Sequence, residues 1–453
     1  MIHRLIATAL RHRFVAFVGA LAVLLGGAWA FHTMPVDAYP DLSPPTVEVV
    51  TQWPGHASEE VERLITIPLE IAFNGTPGVH VERSISLYGL SDVRMVFEYD
   101  TDAYFDREQI FQRIGDATLP SGVVPSVTPL FSPSGLIYRY VLDSPDRSPQ
   151  ELKVLQEWVL YPRYKAIPGV ADDSTLGGTT RQYQAVLDPN ALNTYHVDVD
   201  DVVGAIGKNN QNAGGGFYQQ GGQFYYVRGL GRISDLSDIR DIVIATHDGV
   251  PIHVGDVGKV QIGAAPRLGQ FGFEHRDDAV EGVIFLRTGE QAQTVLERVQ
   301  NTTRYLNEHL LPPDVRVHAF YDRSDLIALT TTTVEHNLLL GIFLVTLILV
   351  LFLRSFRTGL IVACTIPLAL ATAFLLLKVR HVPVNLLSLG AVDFGILVDA
   401  GVIMVENVFR ELGERRAADA PIDIQDVVLS AAKDVGRPIF YSTAVIIAAY
   451  LPI

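Results

Sequence analysis

Three carboxyl side chains lie within a segment that is otherwise apolar enough to cross a bilayer, Leu386–Asn407: Asp393, Asp399 and Glu406. A carboxyl group near a bilayer centre costs about 2.5–3.5 kcal/mol on insertion scales, so such residues usually serve an ion or proton pathway. An α-helix turns by about 100° per residue, which places Asp399 and Glu406 within about 20° of one stripe and Asp393 about 120° from Asp399. The spacing predicts a proton or ion site around Asp399, whereas Glu406 could also be a solvated residue at the cytoplasmic end.

This segment is one of several apolar runs, which are Phe14–Phe31, Leu338–Leu353, Leu360–Leu377, Leu386–Val408 and a fifth that starts at Pro438. A helix that spans a membrane needs about 20 residues, and about 17 suffice when the ends are polar. The long stretch between the first two runs has ordinary globular composition. The pattern predicts an α+β membrane protein, in which an α-helical transmembrane bundle carries one large extramembrane domain.

Basic residues near the runs predict the orientation. Arginine and lysine cluster at the N-terminus, after the second run and after the fourth run, and alternate crossings put all three clusters on the cytoplasmic side. The large domain is then external. The net charge of −15, from 35 basic and 50 acidic residues, argues against a nucleic-acid partner. The first run, followed by Ala28-Trp29-Ala30, could be a cleaved secretory signal, but its length favours a retained helix.

The external domain begins with a pattern of strands and helices. Thr46–Trp53 alternates as a strand, Ser58 is a candidate N-cap for a helix, and Asp102 is a candidate N-cap for a second helix that extends to Thr118. Strands are predicted at His80–Leu87 and Ser91–Tyr99. This β-α-β-β-α order is that of a ferredoxin-like unit. A second such unit is expected from Leu136–Leu176 together with Gln270–Tyr321, and the intervening region Tyr183–Ala264 reads as an insertion with its own fold.

Two local features could suggest other chemistry. The run His196–Asp201 contains residue types that bind metals, but an aspartate there is better placed to cap the helix predicted at Asp201–Asn209. The triplet Gly214–Gly216 lacks the Gly-Lys-Ser/Thr ending of a phosphate-binding loop and is expected to form a mobile loop or tight turn. The sequence has no H-E-x-x-H, no G-x-S-x-G and a single cysteine, Cys364. Nothing in it argues for an enzyme.

Several short motifs are spread along the chain: Pro35–Asp41, Trp53-Pro54-Gly55, Glu60-Val61-Glu62, Pro68-Leu69-Glu70, Asn385–Gly390, Asp399 and Val405-Glu406-Asn407. Together they resemble the resistance-nodulation-division (RND) superfamily of proton-driven efflux pumps. The drug-exporting branch typically has two adjacent aspartates in this membrane helix, but here Ala400 follows Asp399. The pattern Asp393-Phe394-Gly395 with Asp399 is instead similar to the heavy-metal branch.

The type of transported metal depends on few residues. Copper and silver exporters of this branch use a methionine relay, because thioethers bind Cu(I) well. This chain has only four methionines, and Leu387 stands where a relay methionine would precede Ser388. The resemblance therefore implies Zn(II), Co(II), Cd(II) or Ni(II) as the transported ion, with no resident cofactor. Two alternatives stay open: an RND exporter of drugs or small organic molecules, and a membrane-anchored periplasmic binding module that does not transport.

The resemblance also implies an assembly and a division of the chain. It implies a homotrimer in the bacterial inner membrane that works with a periplasmic adaptor protein and an outer-membrane channel, and a proton relay formed by Asp393, Asp399 and Glu406. Such pumps have two similar halves, and we expect this chain to be the N-terminal half with an unfinished fifth helix. The expected parts are residues 1–33 (anchor and first helix), 34–135 (first porter subdomain), 136–182 with 265–330 (second porter subdomain), 183–264 (docking insertion) and 331–453 (helices two to five).

Overall fold

The structure is a computed structural model that describes residues 2–34, 36–37, 41–267, 269–353, 356–380, 384–385, 394–417 and 423–450. The chain forms two compact units. The first unit comprises Met1–Ile137, Leu286–Arg298 and Asp322–Ile453, and the second comprises Tyr138–Phe285 and Val299–Tyr321.

The long helices belong to the first unit and follow the apolar runs. They are Ile2–Arg11, Arg13–Thr33, Arg323–Leu353, Phe356–Ala363, Thr365–Val379, Phe394–Ala417 and Ile424–Tyr450. Within the described residues, three segments are long and apolar enough to cross a membrane: Arg13–Thr33, Arg323–Ile348 and Gly359–Val379. Their shared apolar cluster contains Ala30, Met34, Val362, Ile366, Leu370 and Phe374.

Two of these helices begin well before the apolar runs that predict them. The helix Arg323–Leu353 has 31 residues and starts directly after a strand. The helix Ile424–Tyr450 contains Pro438 in its interior, and its first half, which precedes the apolar run, buries Val427, Ala431 and Ala432. Hydropathy alone finds only the apolar part of such helices. Most of the predicted motif Asn385–Gly390 lies outside the described residues.

A four-stranded sheet in the first unit has the spatial order Val79–Leu87, Leu90–Phe97, Thr46–Gln52 and Ser126–Val127. A continuous helical segment made of Ser58–Val61, Glu62–Thr66 and Ile67–Phe73 packs on one face, as does the helix Ala103–Arg113. The core between them is apolar because alternate strand residues point to one face. It contains Val47, Val49, Ile65, Leu69, Phe73, Val93, Met95, Phe97 and Ile110.

Three predictions concern the ends of the helices in this sheet domain; one is correct and two are wrong. Asp102 is the N-cap, since its side chain accepts hydrogen bonds from the backbone N–H groups of Tyr104 and Phe105. The helix ends at Arg113, not at Thr118, and a 3-10 turn follows. Ser58 is not an N-cap. The N-cap is Ala57, whose N–H donates to Glu60 Oε2 at 3.0 Å, so the glutamate satisfies this helix end without a hydroxyl.

A second four-stranded sheet has the order Arg316–Asp322, Leu136–Asp143, Val280–Leu286 and Val170–Gly177. Both sheets therefore share the chain order β-α-β-β-α-β, in which the first and third strands are central. The helical segments of this region are Pro149–Leu155, Gln156–Leu160, Tyr161–Lys165, Ala292–Tyr305 and Leu306–Leu310.

The region that interrupts the second sheet has a core of its own. Its strands are Arg181–Leu187, Ala213–Gln220, Gln223–Gly229, Val243–His247, Val250–His253 and Gly258–Ala264, and its helices are Pro189–Tyr195, Val199–Asn209, Leu236–Arg240 and Val254–Val257. Eight aliphatic side chains form the core: Val197, Val202, Ile239, Ile242, Ile252, Val254, Val257 and Val260.

Two predictions for this region are corrected by the structure. The triplet Gly214–Gly216 is not a loop, because it lies in a strand that pairs antiparallel with Gln223–Gly229. Asp198 is the N-cap, and Asp201 Oδ2 accepts a hydrogen bond from the N–H of Asp198 at 3.1 Å, so the helix starts at Val199 rather than Asp201. This use of the aspartates agrees with the capping interpretation and not with a metal site.

Candidate functional site

The helix Phe394–Ala417 contains the position of highest chemical interest, Asp399. Asp393 precedes the helix and lies outside the described residues. Glu406 is on the helix and is exposed. Helical periodicity alone places positions 399 and 406 on one stripe. The structure thus gives Asp399 a helical backbone position, and the proton relay stays a prediction.

This helix packs closely on the helix Thr365–Val379 through a residue without a side chain. A methyl group at Gly401 would lie 3.4 Å from both Thr365 Oγ1 and Val362 Cγ1. Val402 and Val405 pack against the apolar cluster of the membrane helices. At these distances a methyl group would make ordinary van der Waals contacts, so either glycine or alanine fits at position 401.

Asn407 joins this helix to the helix Ile424–Tyr450, a contact that the sequence motif alone does not reveal. Its side chain is 7% exposed, and its Nδ2 donates to the backbone carbonyl of Ala431 at 3.0 Å. Its Oδ1 accepts from Arg410 Nη2 at 2.7 Å and from Arg410 Nε at 3.1 Å. A buried amide needs hydrogen-bond partners, but nothing in the sequence around Asn407 indicates that its side chain is buried.

A polar cluster lies at the start of the helix Arg323–Leu353. Asp37 is in the short strand Val36–Asp37, which pairs with Val384–Asn385, and burial raises the pKa of Asp37 while the charge of Arg323 opposes this rise. Arg323, the first residue of its long helix, donates to the carbonyl of Ser134. Burial alone would raise the pKa of Asp41. Hydrogen bonds from serines, including Ser132, outweigh this effect, so that the pKa of Asp41 is lowered. The cluster therefore joins the chain segments just before and just after the first sheet to the start of the helix Arg323–Leu353.

The second unit contains three buried polar side chains that contact one another. The hydroxyl oxygen of Tyr140 lies 2.8 Å from Asp173 Oδ2 and 3.0 Å from Gln156 Oε1, and Gln156 Nε2 lies 3.0 Å from Asp173 Oδ2. Asp173 is 1% exposed. Burial raises its pKa from 3.8 to about 7, against the hydrogen bonds from Tyr140 and Gln156, which lower it. Residue spacing gave no indication of this cluster.

Two arginine–carboxylate pairs of the second unit differ in burial. Arg139 Nε lies 2.5 Å from Glu281 Oε1, and the Glu281 side chain is fully buried. Arg276 Nη1 lies 2.6 Å from Asp143 Oδ1, which is largely exposed. The guanidinium of Arg139 also stacks over the ring of Phe320, at 5.1 Å from its centroid.

Histidine, cysteine, aspartate and glutamate do not form a metal-binding group in the described part of the chain, where no three of them come close enough to share an ion. Of the methionines, Met95 is in the core of the first sheet domain and Met34 is in the cluster of membrane helices. These two thioethers are packing residues.

The sequence and the architecture both match known transporters. Residues 5–453 match the AcrB/AcrD/AcrF family, and the chain therefore belongs to this family of RND transporters, which are not enzymes. The whole chain is 35% identical to the cobalt-zinc-cadmium resistance protein CzcA of Cupriavidus metallidurans and 34% identical to the cation efflux system protein CusA of Escherichia coli (strain K12).

A solved structure gives the same result for the fold. The crystal structure of a heavy metal efflux pump, crystal form II, superimposes with a TM-score of 0.89 at 42% identity over 99% of this chain. The chain spans 44% of the length of that pump and of the two curated relatives. The resemblance to the N-terminal half of a heavy-metal RND pump is confirmed.

Proposed function

We propose that this chain forms part of the inner-membrane permease of a proton-driven system that exports divalent heavy-metal cations. The observation that carries the proposal is similarity along the entire chain to proteins named for resistance to cobalt, zinc, cadmium and nickel. The relatives are more than twice as long, so transport is a property proposed for the whole protein of which this sequence is a part.

The proposed proton relay consists of Asp399, Asp393 and Glu406. A carboxyl group in apolar surroundings favours its protonated form, which suits a group that must bind and release a proton during a transport cycle. Asp399 is the central member, because its helix neighbours on both sides are apolar. The exposure of Glu406 supports a smaller role for that residue.

Divalent ions are the proposed cargo. Cu(I) and Ag(I) prefer soft sulfur ligands, whereas Zn(II), Co(II), Cd(II) and Ni(II) also bind nitrogen and oxygen ligands. The buried positions of Met34 and Met95 in apolar clusters support this choice, because neither thioether is accessible to bind an ion. Leu387, the other residue used in this argument, lies outside the described residues.

The proposed assembly is a homotrimer in the bacterial inner membrane with an adaptor protein and an outer-membrane channel. The two sheets would be porter subdomains on the periplasmic side, and the region with its own aliphatic core would be the docking insertion. The separate core supports this division, because a region with its own apolar centre can keep its shape while neighbouring parts move.

Metal efflux from vesicles that contain the full-length protein tests the proposal. Under an imposed proton gradient, Asp399→Asn should abolish transport of zinc, cobalt, cadmium or nickel, because the amide keeps the size of the side chain but cannot release a proton. Asp393→Asn should reduce transport and Glu406→Gln should have a mild effect. Glu414→Gln is the matched control, since Glu414 is on the same helix and is exposed. Wild-type rates in Asp399→Asn at equal protein levels would refute the relay, and absence of metal transport by the wild-type protein would refute the cargo.

A further inference from the structure

The three buried groups Tyr140, Gln156 and Asp173 form a closed ring of contacts. The three edges of the ring are 2.8, 3.0 and 3.0 Å long, so every edge is a hydrogen-bond distance. All three side chains are fully or almost fully buried. Each edge therefore needs one hydrogen atom between its two heavy atoms.

Counting hydrogens determines the protonation state of Asp173. The hydroxyl of Tyr140 supplies one hydrogen. The amide of Gln156 supplies one more, because its nitrogen faces one neighbour and its oxygen faces the other, whichever way the amide is assigned. An ionised Asp173 supplies none, and one edge would then bring two oxygen lone pairs together. Only a protonated Asp173 completes the ring.

We propose that Asp173 carries a proton in the closed ring and that loss of this proton opens the ring, so that the packing of the second unit responds to pH. The ring joins the strand Val170–Gly177 to the strand Leu136–Asp143 and to the helical segment Gln156–Leu160. Its opening frees an edge strand of the second sheet from one of its buried contacts. The proposal concerns the core of this unit and is independent of the metal transport proposed above.

Among the residues that the structure describes, the surroundings of Asp173 contain a negative charge that opposes its ionisation and no paired cation that would favour it. Asp172, the next residue on the same strand, raises the pKa of Asp173 through its negative charge, and Asp172 itself is paired with Lys165 at 2.8 Å. In the described residues no arginine or lysine lies within ion-pair distance of Asp173. The ring of Tyr164 lies 5.1 Å from that of Tyr140, and its hydroxyl bonds to Thr303.

The remaining nearby groups do not neutralise Asp173. Tyr138 lies on the same strand face as Tyr140, with ring centroids 6.1 Å apart. Arg139 points to the opposite face of the strand and pairs with Glu281. The second oxygen of Asp173, Oδ1, is buried without a hydrogen-bond partner among the described residues. An ionised carboxylate at this position would keep an unpaired charge, which agrees with a pKa of about 7.

The sign of the pH effect follows from this raised pKa. Below pH 3.8 both the folded and the unfolded chain are protonated at Asp173. Between 3.8 and about 7 the unfolded chain ionises first, so stability falls as pH rises. The unfolding equilibrium constant should increase about tenfold per pH unit in this window from this residue alone, and the effect should level off above it.

Infrared spectroscopy on the purified full chain in detergent tests the proposal directly. The wild-type chain should show the C=O stretching band of a protonated, buried carboxyl group at about pH 5, and the band should disappear as pH is raised to about 9. Because other carboxyl groups, such as Asp92 and, in the proposed relay, Asp399, can also be protonated at this pH, the Asp173 band is the component that appears in the wild-type minus Asp173→Asn difference spectrum. The control is Asp172→Asn, which removes the neighbouring carboxylate but leaves the ring intact and should keep the band.

Urea denaturation across the same pH range gives a second readout. The difference in unfolding free energy between the wild-type chain and Asp173→Asn should change across the window and then become constant. If Asp173→Asn does not fold, Tyr140→Phe gives the assignment, because loss of the hydroxyl at 2.8 Å from Asp173 should shift the frequency of the Asp173 band. A difference spectrum between the wild-type chain and a folded variant, Asp173→Asn or Tyr140→Phe, without a titrating carboxyl band would overturn the proposal.

Discussion

The buried ion pair Arg139–Glu281 allows a stability prediction with an internal control. In Arg139→Met the carboxylate of Glu281 keeps its place in the core, where it is fully buried, but loses its cation. Glu281 Oε2 already has no hydrogen-bond partner among the described residues, so no other group can compensate. Removal of one partner from a buried pair typically costs about 3–5 kcal/mol, because an uncompensated charge stays in the interior.

The loss of unfolding free energy expected for Arg139→Met can be separated into two parts. Loss of the contact between the Arg139 guanidinium and the ring of Phe320 accounts for about 0.5–1 kcal/mol, the value for a partly exposed cation–π pair. The remainder comes from Glu281. We therefore expect the double variant Arg139→Met with Glu281→Met to recover most of the loss, since apolar replacement of both partners is often neutral or stabilising.

Urea unfolding of the purified chain in detergent measures these differences. Hydrogen–deuterium exchange in the strands Leu136–Asp143 and Val280–Leu286 reports the unfolding of the second unit. The matched control is Arg276→Met, which breaks an equally short pair with the exposed Asp143 and should cost at most about 1 kcal/mol. Equal losses in Arg139→Met and Arg276→Met, or no recovery in the double variant, would refute the reasoning that burial controls the cost.

Three further predictions concern packing, helix contacts and capping. Gly282→Ala should lower the free energy of unfolding by about 1–3 kcal/mol in urea, because the added methyl overlaps the ring of Tyr140, whereas Gly115→Ala, with open space around it, should change it by less than about 0.5 kcal/mol. Asn407→Ala should cost about 1–3 kcal/mol, measured as faster proteolysis of the membrane helices, since buried partners lose their hydrogen bonds. Asp102→Ala should lower stability by about 1 kcal/mol through loss of the N-cap, and an unchanged urea midpoint would exclude this role.

The predictions from sequence were accurate where one local interaction determines the structure. Alternating apolar residues located the strands Thr46–Gln52 and Leu90–Phe97 to within two residues, because burial on one face fixes the period. Asp102 was identified as an N-cap for a similar reason, since its side chain bonds to N–H groups of the next few residues. Ser58 was assigned incorrectly, because Glu60 caps that helix from inside its first turn.

The sequence did not reveal contacts between residues far apart in the chain. Asp173 contacts Tyr140, and Arg139 contacts Glu281 across an even longer separation, so neither pair has a local signature. The triplet Gly214–Gly216 was expected to be a loop on propensity alone, but pairing with a neighbouring strand overrides the low strand propensity of glycine. Asp399 and Glu406 share a helix, as predicted, but the proton transfer proposed for them depends on partners that no sequence pattern specifies.

The uninterrupted length of the helix Arg323–Leu353 has a mechanical consequence. Its 31 residues extend over about 46 Å, whereas the hydrocarbon core of a bilayer is about 30 Å thick. If this helix spans a bilayer, it is a rigid lever whose Arg323 end extends beyond the hydrocarbon core. A tilt of about 10° around its Leu353 end then moves Arg323 by about 8 Å, which greatly exceeds the length of its hydrogen bond to Ser134. A small change of angle among the membrane helices is thereby converted into a displacement large enough to rearrange the polar cluster around Asp37 and Asp41.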